Sequence, residues 1–165
     1  MRKLFLAVTL LSSGFLFAQS PIAPGEAQLN AGVGLSSWGV PIYVGADFGI
    51  AQDISLGGVF SYRSYSENFA GSNFDWSLIV LGANGNYHFD NILDLPSDWN
   101  VYGGITLGYY IWSSSTSGYT GNRASGLGLD AQIGTRYFFS ESFALNLELG
   151  GGTAAGGKLG ITKKF

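Results

Sequence analysis

GLGLDAQIGTRYFF (126–139) alternates: Leu127, Leu129, Ala131, Ile133, Thr135, Tyr137 and Phe139 are uncharged, while Asp130, Gln132 and Arg136 fall between them. A two-residue period makes a strand with one apolar and one polar face. A water-soluble barrel turns the apolar face inward. A membrane-spanning barrel turns it outward and encloses Asp130 and Arg136. Which face looks inward decides what kind of protein this is.

The same period recurs along the chain. Strands are expected near 26–37, 41–51, 54–65, 75–89, 99–112, 126–139 and 142–150, with an eighth ending at Phe165. A two-residue turn at Gln52-Asp53 and another at Ser140-Glu141 join neighbours. SENFAGSNF (66–74), DNILDLPSD (90–98, with Pro96 as breaker) and SSSTSGYTGNRAS (113–125) are longer links, and GGGTAAGG leads into the last strand. Nothing beyond the first residues has a sustained helical period, so no βαβ unit is expected. Short links between consecutive strands imply an antiparallel meander, and eight such strands close most simply into an up-and-down barrel.

The composition fits a membrane barrel better than a soluble one. The 165 residues suit one domain. Charged residues make up 12% of the chain, against roughly 25% in soluble domains. There are 26 glycines and no cysteine, which excludes disulfides and thiolate chemistry. A net charge of −3 without a basic patch argues against a nucleic-acid partner. Arg2 and Lys3 precede an apolar run, Leu4 to Phe17, and Ala18 precedes Gln19. This reads as a signal peptide over 1–18, with Leu16 larger than the residue preferred before a cut. A short linker over 19–25 and a barrel over 26–165 complete the layout.

Three patterns place the apolar face outside. It carries no charge except Lys163, near the chain end, where a long stem reaches the interface at little cost. The polar face is rich in glycine (Gly32, Gly45, Gly57, Gly104, Gly134, Gly160), which suits a narrow lumen filled by large residues beside small ones. Tyr87, Phe89, Trp99, Tyr137, Phe139 and Phe143 gather at one end of the strands, as an aromatic girdle does at a membrane interface. Tyr62 and Tyr109 are candidates for a thinner band at the other end.

With its signal peptide, eight alternating strands and terminal KLGITKKF, the chain resembles the small outer-membrane β-barrels of the OmpX type and the barrel domain of OmpA-type proteins. The resemblance implies an eight-stranded antiparallel transmembrane barrel in the outer membrane of a Gram-negative bacterium. It implies periplasmic termini, with loops near 37–41, 66–74, 113–125 and 151–155 outside the cell. It also implies a C-terminal assembly signal at Leu159, Ile161 and Phe165, read by the barrel-assembly machinery; Lys163 departs from that pattern, where an aromatic or apolar residue is usual.

The chemistry-bearing residues are few. Asp47, Arg63, Asp130, Arg136, Glu148 and Lys158 fall on the polar face, with Lys164 near the end. Counting along strands from the turns matches Glu148 with Lys158 on neighbouring strands, and matches Arg63 with Asp130 and Asp47 with Arg136 across the lumen. A structural network plugging the barrel is the plain reading, and a gated ion path the sharper one. His88, the single histidine, points inward beside a turn. As a base it would suit a lipid A-modifying enzyme, but such enzymes resemble this chain only in size and carry their His and Ser at the opposite end. GTAAGGKL (152–159) nearly matches a phosphate-binding loop but has Leu159 where Ser or Thr would hold Mg²⁺. Phe69, Phe74, Tyr119 and Arg123 in the loops are candidates for contact with an extracellular ligand or protein.

No cofactor or metal site is expected, and outer-membrane lipid is the expected surround of a monomeric barrel. The expected role is non-enzymatic, structural or surface-interacting. A small passage or carrier for hydrophobic compounds is the alternative, and a membrane enzyme comes third.

Overall fold

The computed structural model describes residues 22–36, 38–69, 72–114, 124–154 and 156–165. The expected signal peptide lies outside them, as do Tyr119, Arg123 and the side chain of Phe69. Eight strands run β1 Ala27–Leu35, β2 Ile42–Ala51, β3 Ile54–Phe69, β4 Ser72–His88, β5 Trp99–Ser114, β6 Gly126–Phe138, β7 Phe143–Gly152 and β8 Gly156–Lys164. Each pairs antiparallel with the next, and β1 pairs with β8 to close the barrel. The start of β1, the C-terminus and three connections (52–53, 89–98, 139–142) share one end, called here the turn end. The connections at 36–41, 70–71, 115–125 and 153–155 mark the loop end.

The stagger of the sheet follows from its register. From Gly32 in one direction the paired row runs Gly160, Asn146, Arg136. In the other direction it runs Tyr43, Ser61, Val80, Tyr110, Gly126. Both ends lie on β6, at Arg136 and Gly126, so the sheet closes with an offset of ten residues (136 − 126). With eight strands about 4.8 Å apart and about 3.3 Å of rise per residue, this tilts the strands by roughly 40°. A nine-residue strand such as β1 then rises roughly 23 Å along the barrel axis, close to the height of a membrane barrel's apolar band.

Side chains alternate across the wall as the strand period requires. Leu129, Ile133, Leu145, Leu149, Leu159 and Ile161 are exposed on the outside. Tyr102, Gln28, His88, Asn100 and Thr162 are essentially inaccessible within. The wall is therefore apolar outside and polar inside, the inverse of a soluble barrel, and such a surface is stable only against lipid.

The structure departs from the sequence reading at the links. The segment 66–74, expected as a loop, continues the β3–β4 ladder through Ser66↔Asp75 and on to Phe69↔Ser72. The polar run SENFAGSN carries no apolar alternation to reveal that the ladder continues. Within 90–98, expected as a turn without helix, Asp90–Leu93 forms one helical turn, α1, ended by Asp94 in the left-handed region at φ 51°. A single turn is too short to show a helical period. Phe89, expected as the last residue of the fourth strand, instead precedes α1. GGGTAAGG is mostly strand, because β7 runs to Gly152 and β8 starts at Gly156.

Candidate functional site

The lumen is built in tiers from the turn end upward. Residues 22–25 tuck beneath the barrel. Ile22 is fully buried, and the Gly25 N–H donates to the Gly49 carbonyl at 2.9 Å. Above it lies a polar cluster at the ends of β3, β4 and β5. Ser55 Oγ is 2.9 Å from His88 Nε2, and Asn100 Nδ2 is 2.8 Å from His88 Nδ1. The same Asn100 amide donates to Asp90 Oδ2 at 2.8 Å, while its Oδ1 accepts from Arg136 Nη1 at 2.8 Å. Asp90, beneath the strands in α1, also accepts the Val101 N–H at 2.7 Å. Burial raises its carboxyl above the usual range, against those two hydrogen bonds.

A serine beside a histidine invites a nucleophile reading, and the tautomer answers it. Because Arg136 holds the carbonyl of Asn100, the amide presents N–H to His88 Nδ1. That nitrogen must accept, so the ring proton sits on Nε2 and points at Ser55. A base for Ser55 needs the opposite arrangement. His88 and Ser55 are moreover both inaccessible, so the pair is a structural joint.

The middle tier is the Asp47–Arg136 ion pair, 3.1 Å between Oδ2 and Nη2. Asp47 Oδ2 also accepts from Gln28 Nε2 at 3.0 Å and Asn30 Nδ2 at 2.9 Å, and Oδ1 accepts from Asn84 Nδ2 at 2.8 Å. The Arg136 guanidinium lies 4.1 Å from the centre of the Tyr102 ring. Sequence reading named both charges but missed the amides around them. Their signal was inward parity alone: Gln28 and Asn30 on β1, Asn84 and Asn86 on β4.

Higher up, Lys158 Nζ donates to Glu148 Oε1 at 2.5 Å, and the Tyr102 hydroxyl donates to Glu148 Oε2 at 2.9 Å. These residues are direct partners across β7 and β8. Lys158 thus lies in a strand with its ammonium committed to Glu148, and the segment Gly152–Leu159 is no phosphate loop.

Arg63 and Asp130, matched across the lumen by counting, do not meet within 4.0 Å. Arg63 Nη1 donates to Ser36 Oγ at 3.3 Å. Asp130 accepts from the Tyr110 hydroxyl and from the Ala154 N–H at 3.0 Å. Both residues line the same cavity near the loop end without touching. Arg63 lies 5.1 Å from the Trp38 ring centre, and Trp38 stacks on Trp112 at 5.8 Å and 2°.

On the outer surface the turn-end aromatics pair off: Tyr87 with Phe89 and Trp99 with Tyr137, each at 5.0 Å between centroids, and Phe139 with Phe143 at 6.4 Å. Lys163 donates to Ser142 Oγ at 3.0 Å and lies 4.4 Å from the Phe143 ring centre. Leu159, Ile161 and Phe165 are exposed on the outer face, and the Phe165 N–H closes on the Ala27 carbonyl at 2.9 Å. Among the described residues, no group of three His, Cys, Asp or Glu side chains could hold a metal ion.

An apolar outer wall around a polar lumen defines a small β-barrel of the membrane-spanning class. No family model and no curated protein sequence matches the chain, but solved structures share its fold. The outer membrane protein OprG from Pseudomonas aeruginosa aligns with a TM-score of 0.68 at 10% identity, over 87% of this chain and 97% of that one. Neisserial surface protein A aligns at 0.63 and 20% identity, over 85% and 96%. The attachment invasion locus protein Ail of Yersinia pestis aligns at 0.59 and 13% identity, over 86% and 99%, in its complex with the heparin analogue sucrose octasulfate. The fold is that of the small eight-stranded outer-membrane barrels.

Proposed function

We propose that this protein is a non-enzymatic barrel of a Gram-negative outer membrane that acts through the surface of its loop end. In this reading the turn end and both termini face the periplasm. Leu159, Ile161 and Phe165 present the assembly signal, and the barrel works as a monomer. The observation that carries the reading is the hydrogen-bonded polar column from Ser55, His88 and Asn100 through Asp47–Arg136 to Tyr102, which supports the rim as the surface that meets partners. The wrong tautomer at His88 supports the non-enzymatic part. Ail, whose solved complex holds a sulfated sugar at similar fold and size, supports a surface-interaction role for such barrels.

Two measurements test this. In planar bilayers the folded protein is expected to give no defined conductance; reproducible unitary steps would replace the plugged lumen with a passage. On intact cells, protease added outside is expected to cut within the loop-end connections and spare 89–98. Cleavage restricted to 89–98 would reverse the orientation.

A further inference from the structure

We propose that the loop-end half of the lumen is a binding site for a small planar oxyanion of the carboxylate or bicarbonate class, held by Arg63. Arg63 projects from the inward face of β3 and is 5% exposed. It borders a cavity of about 60 Å³ that Ser36, Ser61 and Val80 also line. Among the described residues its hydrogen bond to protein is the long contact to Ser36, and its Nε is buried with no partner. No carboxylate lies within 4.0 Å of it among the described residues. Asp130 attracts it only from across the cavity, and a buried cation without a directly bonded counter-charge is strongly unfavourable.

The anions bordering the same cavity are already committed. Glu148 accepts from Lys158 and Tyr102. Asp130 accepts from Tyr110 and the Ala154 N–H. The spare groups are donors: the Arg63 guanidinium and the Ser61 hydroxyl, two residues apart on one strand face and so roughly 7 Å apart along it. A guanidinium presents a planar fork that matches a carboxylate in two parallel hydrogen bonds. The Trp38 ring against the guanidinium keeps the fork in place, and Val59, Val80 and Ala154 give the chamber an apolar wall. Below, the Glu148–Lys158 pair separates it from a smaller cavity lined by Tyr102, Asp47 and Arg136. The chamber's volume suits an anion of a few heavy atoms.

The test uses the folded barrel in detergent micelles, titrated with sodium acetate at constant ionic strength, with gluconate as an anion too large for the cavity. Nitrogen–proton NMR follows the Arg63 Nε–H and the Trp38 indole N–H. Acetate is expected to shift both saturably, and gluconate neither. Arg63→Met is expected to abolish the Trp38 response while a heat-dependent gel shift shows the barrel still folded. Asp130→Asn, which removes the competing charge, is expected to tighten acetate binding about threefold or more. Equal responses to acetate and gluconate, a Trp38 response that survives Arg63→Met, or unchanged or weaker binding in Asp130→Asn would each overturn the proposal.

Discussion

Arg136 on β6 reaches across the lumen to Asp47 on β2, Nη2 to Oδ2 at 3.1 Å, with both side chains at most 5% exposed. The two residues are 89 positions apart in the chain, and the pair ties opposite walls of the barrel together. Removing one partner leaves a buried charge alone. Asp47→Asn and Arg136→Met are each expected to cost about 3–5 kcal/mol, read as a lowered urea midpoint in micelles. The double variant is expected to lose less than the sum. Additive losses would mean that each charge is satisfied mainly by the surrounding amides.

Glu148 and Lys158 are closer but wetter, at 17% and 33% side-chain exposure. A double-mutant cycle with Glu148→Gln and Lys158→Met is expected to give a coupling of only about 1 kcal/mol after screening by solvent. Lys158→Met should partly rescue Glu148→Gln. A coupling near zero would show the contact to be geometric without energetic weight.

At Gly134 the lumen has no room for a methyl group. A Cβ there would stand 2.3 Å from Cζ of Tyr102, an aromatic ring that also carries the Arg136 guanidinium at 4.1 Å from its centre. Gly134→Ala is expected to destabilise the barrel by about 1–3 kcal/mol. Tyr102→Leu in the same background should recover part of that loss by freeing the space. If Gly134→Ala folds with an unchanged midpoint, the ring moves freely and the plug is looser than drawn here.

Asp90 makes stability depend on pH. Its carboxyl is raised by burial, so between the ordinary carboxylate value and the raised one the folded state binds more protons than the unfolded state. Stability from this group is full below that window and is lost as pH rises through it. Paired urea midpoints at about pH 3 and about pH 7 are expected to move in favour of Asp90→Asn, relative to wild type, at the higher pH. A gap that is constant with pH, or that moves the other way, would remove Asp90 as the cause.

The outer wall is tested by charge. Ile133 is exposed midway along β6, and Phe139 lies just beyond its turn end. In lipid bilayers Ile133→Arg is expected to cost about 2–4 kcal/mol and Phe139→Arg about 0–1 kcal/mol. Equal and small costs would show that this face meets water.

Alternation at 126–139 and in seven other segments was enough to determine the strand number and the antiparallel meander. It also determined which residues face out, because side-chain parity is a local property of a pleated strand. The same parity named Asp47, Arg136, Glu148 and Lys158 as inward. Glu148 and Lys158 were paired correctly from sequence because they sit opposite each other on adjacent strands, where register alone sets the distance. Asp47 and Arg136, matched across the lumen, do meet, whereas Arg63 and Asp130 border one cavity without touching, because contacts across a lumen depend on how far the sheet shears before it closes. That offset of ten residues is a property of the whole ring, and no strand carries it. The tautomer of His88 likewise depends on Arg136 reaching Asn100 from another strand. The Arg63–Trp38–Trp112 column depends on a connection folding over the barrel mouth. The sequence by itself determined a polar interior. Only closure of the barrel gathered the amides around Asp47 and left Arg63 bordering a cavity.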